Sequence, residues 1–237
     1  MKKLFLMANA ILLAIMLIFD ACYMFMGGLF FKGIASSMFV LMGVINLIYC
    51  IKSKTNLKFP IWMMVALIWA MIGDLLIGVN FYMGAAAFAI GHIFYFVAYC
   101  MLKRMNARDF LYGIIISVVA LAIILFVPIL DFKSSFMQGV CCAYGLIISF
   151  MVGKAVSNAT EEKSNLNKLI TIGSIVFFMS DFMLVLNLFG NMPVASYLCL
   201  GLYYPAQFLL AFSVLAYASK DEVKQNQNTI QQKATNL

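Results

Sequence analysis

The residues best suited to chemistry are two aspartates, Asp74 and Asp181, which lie deep inside long apolar runs. An ionisable side chain at the centre of a membrane-spanning helix costs about 2.5–3.5 kcal/mol to insert, so it usually marks a functional site. If both runs are helices that start on the same side of the bilayer, both carboxyls lie roughly 20 Å from that side. Two carboxyls that meet in a medium of low dielectric do not both ionise, so one acts as an acid and the other as a base. The pair therefore predicts general acid–base catalysis.

Further polar side chains fall at matching depths in the neighbouring apolar runs. His92, the only histidine, lies near mid-membrane, and Tyr95 follows one turn later on the same helix face. We expect these groups and the two aspartates to line one polar pocket that opens toward the non-cytoplasmic side or the outer leaflet. The residues predicted to bind a substrate there are Lys32, Asn80, His92, Tyr95, Asn187, Tyr203, Tyr204 and Gln207.

Each of these residues also has a simpler interpretation. The aspartates can hold helices together through hydrogen bonds, or they can relay protons or cations. His92 can be a structural hydrogen-bonding residue, and Asn80 and Asn187 can cap helix ends or bind a head group. The tyrosine pair 203–204 can simply line the pocket. Lys32 can extend its ammonium group to the interface, or it can bind a phosphate.

The motifs of the common hydrolases and metalloenzymes are absent from the sequence. The chain has no GxSxG, P-loop or HExxH motif and only one histidine, which disfavours a serine hydrolase of the usual type and a zinc enzyme. The six cysteines lie in or beside apolar runs without a CxxC motif, and we interpret them as small buried hydrophobic residues.

The apolar runs that carry these residues make up most of the chain. Of 237 residues, 65% are hydrophobic and 11% are charged, and the mean hydropathy is +1.01. A soluble domain is about half apolar and about a quarter charged. Because a small soluble fold leaves much of its surface in water, it would not hide this much apolar area. The composition predicts an all-α, multi-pass transmembrane helical bundle.

Eight runs are long enough for a helix of about 20 residues, the length that crosses the hydrocarbon core. The predicted spans are roughly 4–20, 31–51, 60–79, 82–102, 110–130, 135–153, 168–188 and 195–217. With the N-terminus in the cytoplasm, 14 of the 16 Lys and Arg residues fall on the cytoplasmic side, and only Lys32 and Lys133 fall outside. This distribution follows the positive-inside rule, so both termini are predicted to be cytoplasmic. Since the basic residues serve as topology signals, we expect no nucleic-acid partner.

An internal repeat relates the two halves of the chain. Gly73-Asp74 and the residues up to Asn80 match Ser180-Asp181 and the residues up to Asn187 in order: a small residue, Asp, an apolar stretch and Asn. The two copies lie on the third and seventh predicted spans, which run in the same direction, so the halves are predicted to be parallel. The predicted units are residues 1–219 as one integral membrane domain, with halves at about 1–109 and 110–219, and residues 220–237 as a polar, mobile cytoplasmic tail.

The motifs of both halves also carry a family resemblance. The first half contains Lys32, Gly73-Asp74-Leu75-Leu76, Phe88 and Gly91-His92-Ile93-Phe94-Tyr95. The second half contains Ser180-Asp181-Phe182-Met183-Leu184, Asn187, Phe189 and Tyr203-Tyr204-Pro205-Ala206-Gln207. In their order and spacing, these motifs resemble the YhhN-like lysoplasmalogenase family over nearly the whole chain.

The resemblance implies a membrane hydrolase that cleaves the vinyl ether bond of lysoplasmalogens. The products are a fatty aldehyde and glycerophosphoethanolamine or glycerophosphocholine, and the acid–base pair is Asp74 and Asp181. The implied chemistry requires neither a metal nor an organic cofactor. The expected partners are a lysophospholipid substrate and the surrounding membrane lipids, and the simplest location is a bacterial inner membrane. On the residues alone, two other classes of function stay open: a proton-coupled transporter or ion-conducting protein, and a membrane protein that binds lipid without turnover. A polar path across the whole bilayer would favour transport.

Overall fold

The described residues form a bundle of eight long helices joined by short loops. The computed structural model describes residues 2–221, and it carries the backbone of the last helix on to Thr235. The predicted tail, residues 220–237, lies from Glu222 onward outside the residues whose side chains are described. The helices are α1 (Lys2–Met26), α2 (Leu29–Lys52), α3 (Lys58–Ile77), α4 (Phe81–Leu102), α5 (Ala107–Phe126), α6 (Ser135–Glu161), α7 (Asn165–Phe189) and α8 (Val194–Thr235).

All eight helices are long and apolar enough to cross a membrane, the last of them over Val194–Asp221. The prediction of an all-α, eight-span bundle is confirmed, and the described residues contain no strand. Because the number of spans is even, the two ends of the described chain lie on one side, and Lys2 and Lys220 indeed line the same surface cleft. We call this side the terminal end of the bundle and the opposite side the far end.

Polar side chains in the loops start the helices. Asn80 accepts a hydrogen bond from the backbone of Met83 and caps α4, and Ser134 and Ser164 cap α6 and α7 in the same way. At α5, Asn106 forms a reciprocal capping box with Asp109. Each cap satisfies backbone N–H groups that the helix itself leaves unpaired, a need that is strict beside a hydrocarbon solvent.

The helices pack in an order that is the same in both sets of four. Helix α1 packs on α2 and α3 on α4, and likewise α5 packs on α6 and α7 on α8. Helix α2 contacts α3 and also α8 of the other set, whereas α6 contacts α7 and also α4. The two sets are therefore joined mainly by α2–α8 and α4–α6, with smaller contacts of α8 with α1 and α3. One difference matters below: the backbone of α5 lies close to that of α6 alone, whereas the backbone of α1 also lies close to that of α8.

The first span is longer than predicted. It was expected over residues 4–20, but α1 continues to Met26, so Asp20 lies inside the helix with 4% of its surface exposed. The apolar residues that follow Asp20 extend the helix past this single charge. The first half of the bundle therefore contains a second buried carboxyl besides Asp74.

The sixth span is also longer, and its prediction as residues 135–153 followed by a polar loop is wrong. Helix α6 runs to Glu161, and Lys154 is fully buried within it. The Lys154 ammonium lies 2.8 Å from Asp109 Oδ2 and donates to the carbonyl of Arg104 at 3.1 Å. A charge that looks like a loop residue in the sequence is thus neutralised between α5 and α6 at the terminal end, which lets the helix continue.

Candidate active site

The two predicted catalytic aspartates occupy equivalent positions on equivalent helices. Asp74 is 16 positions after Lys58, the first residue of α3, and Asp181 is 16 positions after Asn165, the first residue of α7. At 1.5 Å per residue, both Cα atoms lie about 24 Å along their helices, toward the far end. Both residues are buried, with 3% and 8% of their surfaces exposed.

The small residue before each aspartate brings the next helix close. A Cβ on Gly73 would lie 2.7 Å from the ring of Phe88 on α4, so only glycine lets α4 approach α3 at this point. In the second half, the hydroxyl of Ser180 donates to the carbonyl of Cys199 on α8 at 2.9 Å. The repeat seen in the sequence therefore fixes the helix pairs α3–α4 and α7–α8 next to the carboxyls.

Asp74 is surrounded by donors, one of them a cation. Lys32 Nζ on α2 lies 3.0 Å from Oδ1. Ser36, one turn further along α2, donates to Oδ2 at 2.5 Å, and the hydroxyl of Tyr204 on α8 donates to Oδ2 at 3.0 Å. The side chains of Lys32 and Asp74 are 6% and 5% exposed, so little solvent screens the pair. Such donors compensate a full negative charge on Asp74.

Asp181 has a different set of partners. The hydroxyl of Tyr144 on α6 donates to its Oδ2 at 2.7 Å, and His92 Nε2 on α4 lies 2.7 Å from the same hydroxyl and 3.4 Å from the carboxylate oxygen. The other ring nitrogen of His92 is buried and has no hydrogen-bond partner among the described residues. No Lys or Arg is paired with Asp181 in the described part of the chain. The two carboxyls therefore lie in unlike environments.

A single cavity of about 150 Å³ joins the two carboxyls. Its lining includes Asp74, Asp181, Lys32, Asn187 and Tyr203. Half of the ten residues predicted for the site thus face one hollow, and helices from both halves of the chain form its walls. A water-sized group needs roughly 10–15 Å³ of cavity volume, so this cavity has room for about ten such groups.

Two aromatic rings, Phe88 and Tyr203, line the cavity on the side of the terminal end, and Phe177 packs against both. Tyr203, Phe88 and Phe177 pack edge to face, with ring centres 5.4–6.0 Å apart. The hydroxyl of Tyr203 donates to the carbonyl of Ala70 at 3.0 Å, which leaves the ring as a wall rather than a donor to a ligand. The cavity is therefore polar beside the two carboxyls and apolar on the side of the terminal end.

The other predicted site residues lie at different distances from the cavity. Tyr204 and His92 contact the aspartates, as described above, without lining the cavity themselves. Tyr95 and Gln207 hydrogen-bond to each other at 2.8 Å, fully buried, and neither lines the cavity. Asn80 is an exposed helix cap outside it. The structure thus gives Tyr95, Gln207 and Asn80 structural partners instead of positions at the cavity.

Two residues that contact the carboxyls were missed in the sequence. Ser36 follows Lys32 by four residues and so shares its helix face, a signal that the spacing already contained. Tyr144 is a tyrosine in mid-span, but nothing in its spacing indicates that α6 turns it toward Asp181. Among the described residues, no group of three His, Cys, Asp or Glu side chains is arranged to hold a metal ion.

The comparison with known proteins agrees with the motifs. A model of the YhhN family matches residues 27–214, which include both aspartates, Lys32, Ser36, His92 and Tyr144. A search of curated proteins and a search of solved structures each found no match. The match covers well over half of the chain, and it agrees with the eight membrane-spanning helices. This multi-pass membrane protein therefore belongs to the YhhN family.

Proposed function

We propose that the protein is a membrane hydrolase that cleaves the vinyl ether bond of lysoplasmalogens, with Asp74 and Asp181 as its acid and base. The observation that carries the proposal is one cavity lined by two carboxyls whose partners differ in charge. The substrate is a lysophospholipid with one vinyl ether chain. The products are a fatty aldehyde and glycerophosphoethanolamine or glycerophosphocholine, as the resemblance to lysoplasmalogenases implies.

The partners of the two carboxyls assign their roles. Lys32 compensates the negative charge of Asp74, so Asp74 is the ionised base. Asp181 is paired with a tyrosine and a histidine instead of a cation, and it also lines a mainly apolar cavity. It is therefore the group that carries the proton. When Asp181 is protonated, the Tyr144 hydroxyl can donate to His92 Nε2 at 2.7 Å instead, and it keeps a partner in both states.

The reaction then uses each carboxyl twice. Asp181 transfers its proton to the second carbon of the vinyl ether, which leaves an oxocarbenium ion at the first carbon. Water adds to that carbon and gives its proton to Asp74, which forms a hemiacetal. In the collapse of the hemiacetal, Asp74 returns the proton to the departing glycerol oxygen while the hydroxyl proton passes to Asp181. Aldehyde and alcohol leave, and both carboxyls are back in their starting states. The chemistry needs no metal or organic cofactor.

The polar end of the cavity suits the head-group side of the substrate. Lys32 and Asn187 supply donors there, and a phosphate would be attracted to the ammonium group. The cavity lies toward the far end of the bundle, so a lysolipid in that leaflet is the substrate we expect. A bacterial inner membrane is the setting we propose for this reaction.

Aldehyde release from purified protein tests the proposal. Asp74→Asn and Asp181→Asn should each lower kcat on a vinyl ether lysolipid by about 10²–10⁴, the usual contribution of a general acid or base. Asp131→Asn, in an exposed loop at the far end, is the matched control and should keep wild-type activity. Full activity in both cavity variants, with normal folding, would refute the roles of the two carboxyls.

One observation favours the alternative of proton or ion conduction. Buried polar pairs continue from the site toward the terminal end, with Tyr95 on Gln207 at 2.8 Å and Tyr99 on Ser174 at 2.9 Å. Each pair is closed on itself, however, and a polar cavity at the terminal end shares no lining residue with the site cavity in the described chain. The fully buried ring of Phe177 packs edge to face against Tyr95. Proton flux into proteoliposomes without aldehyde release from any ether lipid would support conduction over hydrolysis.

A further inference from the structure

A second, apolar cavity touches the site at Asp181. It lies between α5, α6 and α7, next to α3 and α4 at the far end of the bundle, and its volume is about 70 Å³. Apart from Asp181, the Tyr144 hydroxyl and the thiol of Cys141, its walls are aliphatic and aromatic. Four residues line both this cavity and the polar one: Asp181, Ile77, Leu184 and Leu188. The two hollows therefore meet at the carboxyl that we assign as the acid.

We infer that this cavity, the tail chamber, binds the first carbons of the substrate's hydrocarbon chain. The inference rests on the proposed function and specifies how the same site holds its substrate. The carbon to be protonated is the second of the chain, so it must lie at Asp181 with the rest of the chain beyond it. Only an apolar occupant is favoured against these walls. The glycerol and phosphate then lie on the Lys32 side of the same carboxyl.

The size of the chamber limits how much of the chain it encloses. At roughly 10–15 Å³ for each water-sized group, it accommodates about five methylene groups. The remaining carbons must leave toward lipid. Helix α5 offers that exit, because its backbone lies close to that of α6 alone among the helices. Beside the chamber, the apolar side chains of Val118, Val119 and Leu125 on α5 are exposed, so this flank of α5 faces lipid in a bilayer.

Gly145 on α6 provides a way to fill the chamber without changing a carboxyl. A Cβ added there would lie 3.3 Å from Ile124 Cδ1 and 3.9 Å from the Ala120 Cβ on α5, so the side chain would extend into the chamber. Gly139 lies on the same helix, and a Cβ added there meets nothing within 4 Å. Gly139→Leu is therefore a control with the same change on the same helix.

The kinetic test compares these variants on vinyl ether lysolipids of different chain length, in mixed micelles at fixed surface concentration. Gly145→Leu should lower kcat/KM at least tenfold for chains of six or more carbons and less than threefold for a three-carbon chain. Gly139→Leu should match wild type on both. In wild type, kcat/KM should rise with each carbon up to about six and then level off. Equal effects of Gly145→Leu on short and long chains, or no effect on either, would refute the proposal that the tail chamber binds the hydrocarbon chain.

A binding test separates this inference from the reaction itself. An alkyl ether lysolipid, which cannot be hydrolysed by this route, carries a diazirine on its fourth chain carbon and is photolysed with the wild-type protein. Labelled peptides should come from residues 120–124 and 141–148. The cleft between α1, α7 and α8 is larger than the tail chamber and is lined by Lys2 and Lys168. Labelling there instead would refute the proposal that the tail chamber binds the hydrocarbon chain. If the chamber is labelled while no vinyl ether lysolipid yields aldehyde, the proposed function fails and the chain-binding site stands.

Discussion

Removal of the Lys32 ammonium group tests the electrostatics of the site most sharply. In Lys32→Met, the Asp74 carboxylate loses its only ion-pair partner among the described residues and keeps the hydroxyls of Ser36 and Tyr204. Both members of the pair are about 95% buried, and removal of one partner from a buried pair typically costs about 3–5 kcal/mol. Uptake of a proton by Asp74 would limit that cost, but a protonated Asp74 no longer acts as a base. We therefore expect lower stability together with a fall in kcat of about 10²–10⁴.

The double variant Lys32→Met, Asp74→Asn separates the two effects. Replacement of both members of a buried ion pair by neutral groups is often neutral for stability, so the double variant should recover most of the lost free energy of unfolding. Its activity should stay lost because the base is gone. Unfolding is measured in mixed micelles and turnover by aldehyde release. Lys133→Met, at an exposed loop position, is the control and should change the free energy of unfolding by less than about 0.5 kcal/mol. A single variant that is as stable and active as wild type, or a double variant no more stable than the single one, would refute the reasoning.

Three further predictions follow from individual contacts. Tyr144→Phe removes the donor that stabilises the Asp181 carboxylate once its proton has been transferred, and since a hydrogen bond to a charged group is worth about 1.5–3 kcal/mol, kcat should fall roughly 10- to 100-fold; unchanged turnover would contradict the role of Asp181. Lys154→Met leaves Asp109 buried without its cation at the terminal end, so the free energy of unfolding should drop by about 3–5 kcal/mol with kcat per folded molecule unaltered. Asn80→Ala should cost about 1 kcal/mol through loss of the α4 cap, measured by unfolding, and a large change in KM would instead restore Asn80 as a substrate ligand.

The spans and the depth of the carboxyls could be predicted because the bilayer imposes one length on every helix. Hydropathy identified all eight spans, and the repeated Asp motif put Asp74 and Asp181 at one level, where the structure has them 16 positions into α3 and α7. The errors lie at the helix ends. Lys154 looked like a loop residue because its neutralising partner, Asp109, is on another helix and 45 positions away in the chain.

The partners of each carboxyl could be predicted only where they share a helix face with a residue already identified. Lys32 and Ser36 are four positions apart, so finding one indicates the other. The contact of Tyr144 with Asp181, and the closure of Tyr95 onto Gln207, depend on how α6 and α8 are rotated against α7 and α4. Periodicity defines the buried face of a helix, but it does not say which neighbour that face meets.

Hydrolysis in heavy water tests the central mechanism most directly. If a carboxylic acid protonates the second carbon of a vinyl ether, the released aldehyde, trapped at once as a hydrazone, should carry one deuterium at that carbon, and Asp181→Asn should lower its rate of formation by about 10²–10⁴. An aldehyde without deuterium at that carbon, or labelled aldehyde formed at the wild-type rate by Asp181→Asn, would contradict carbon protonation by Asp181.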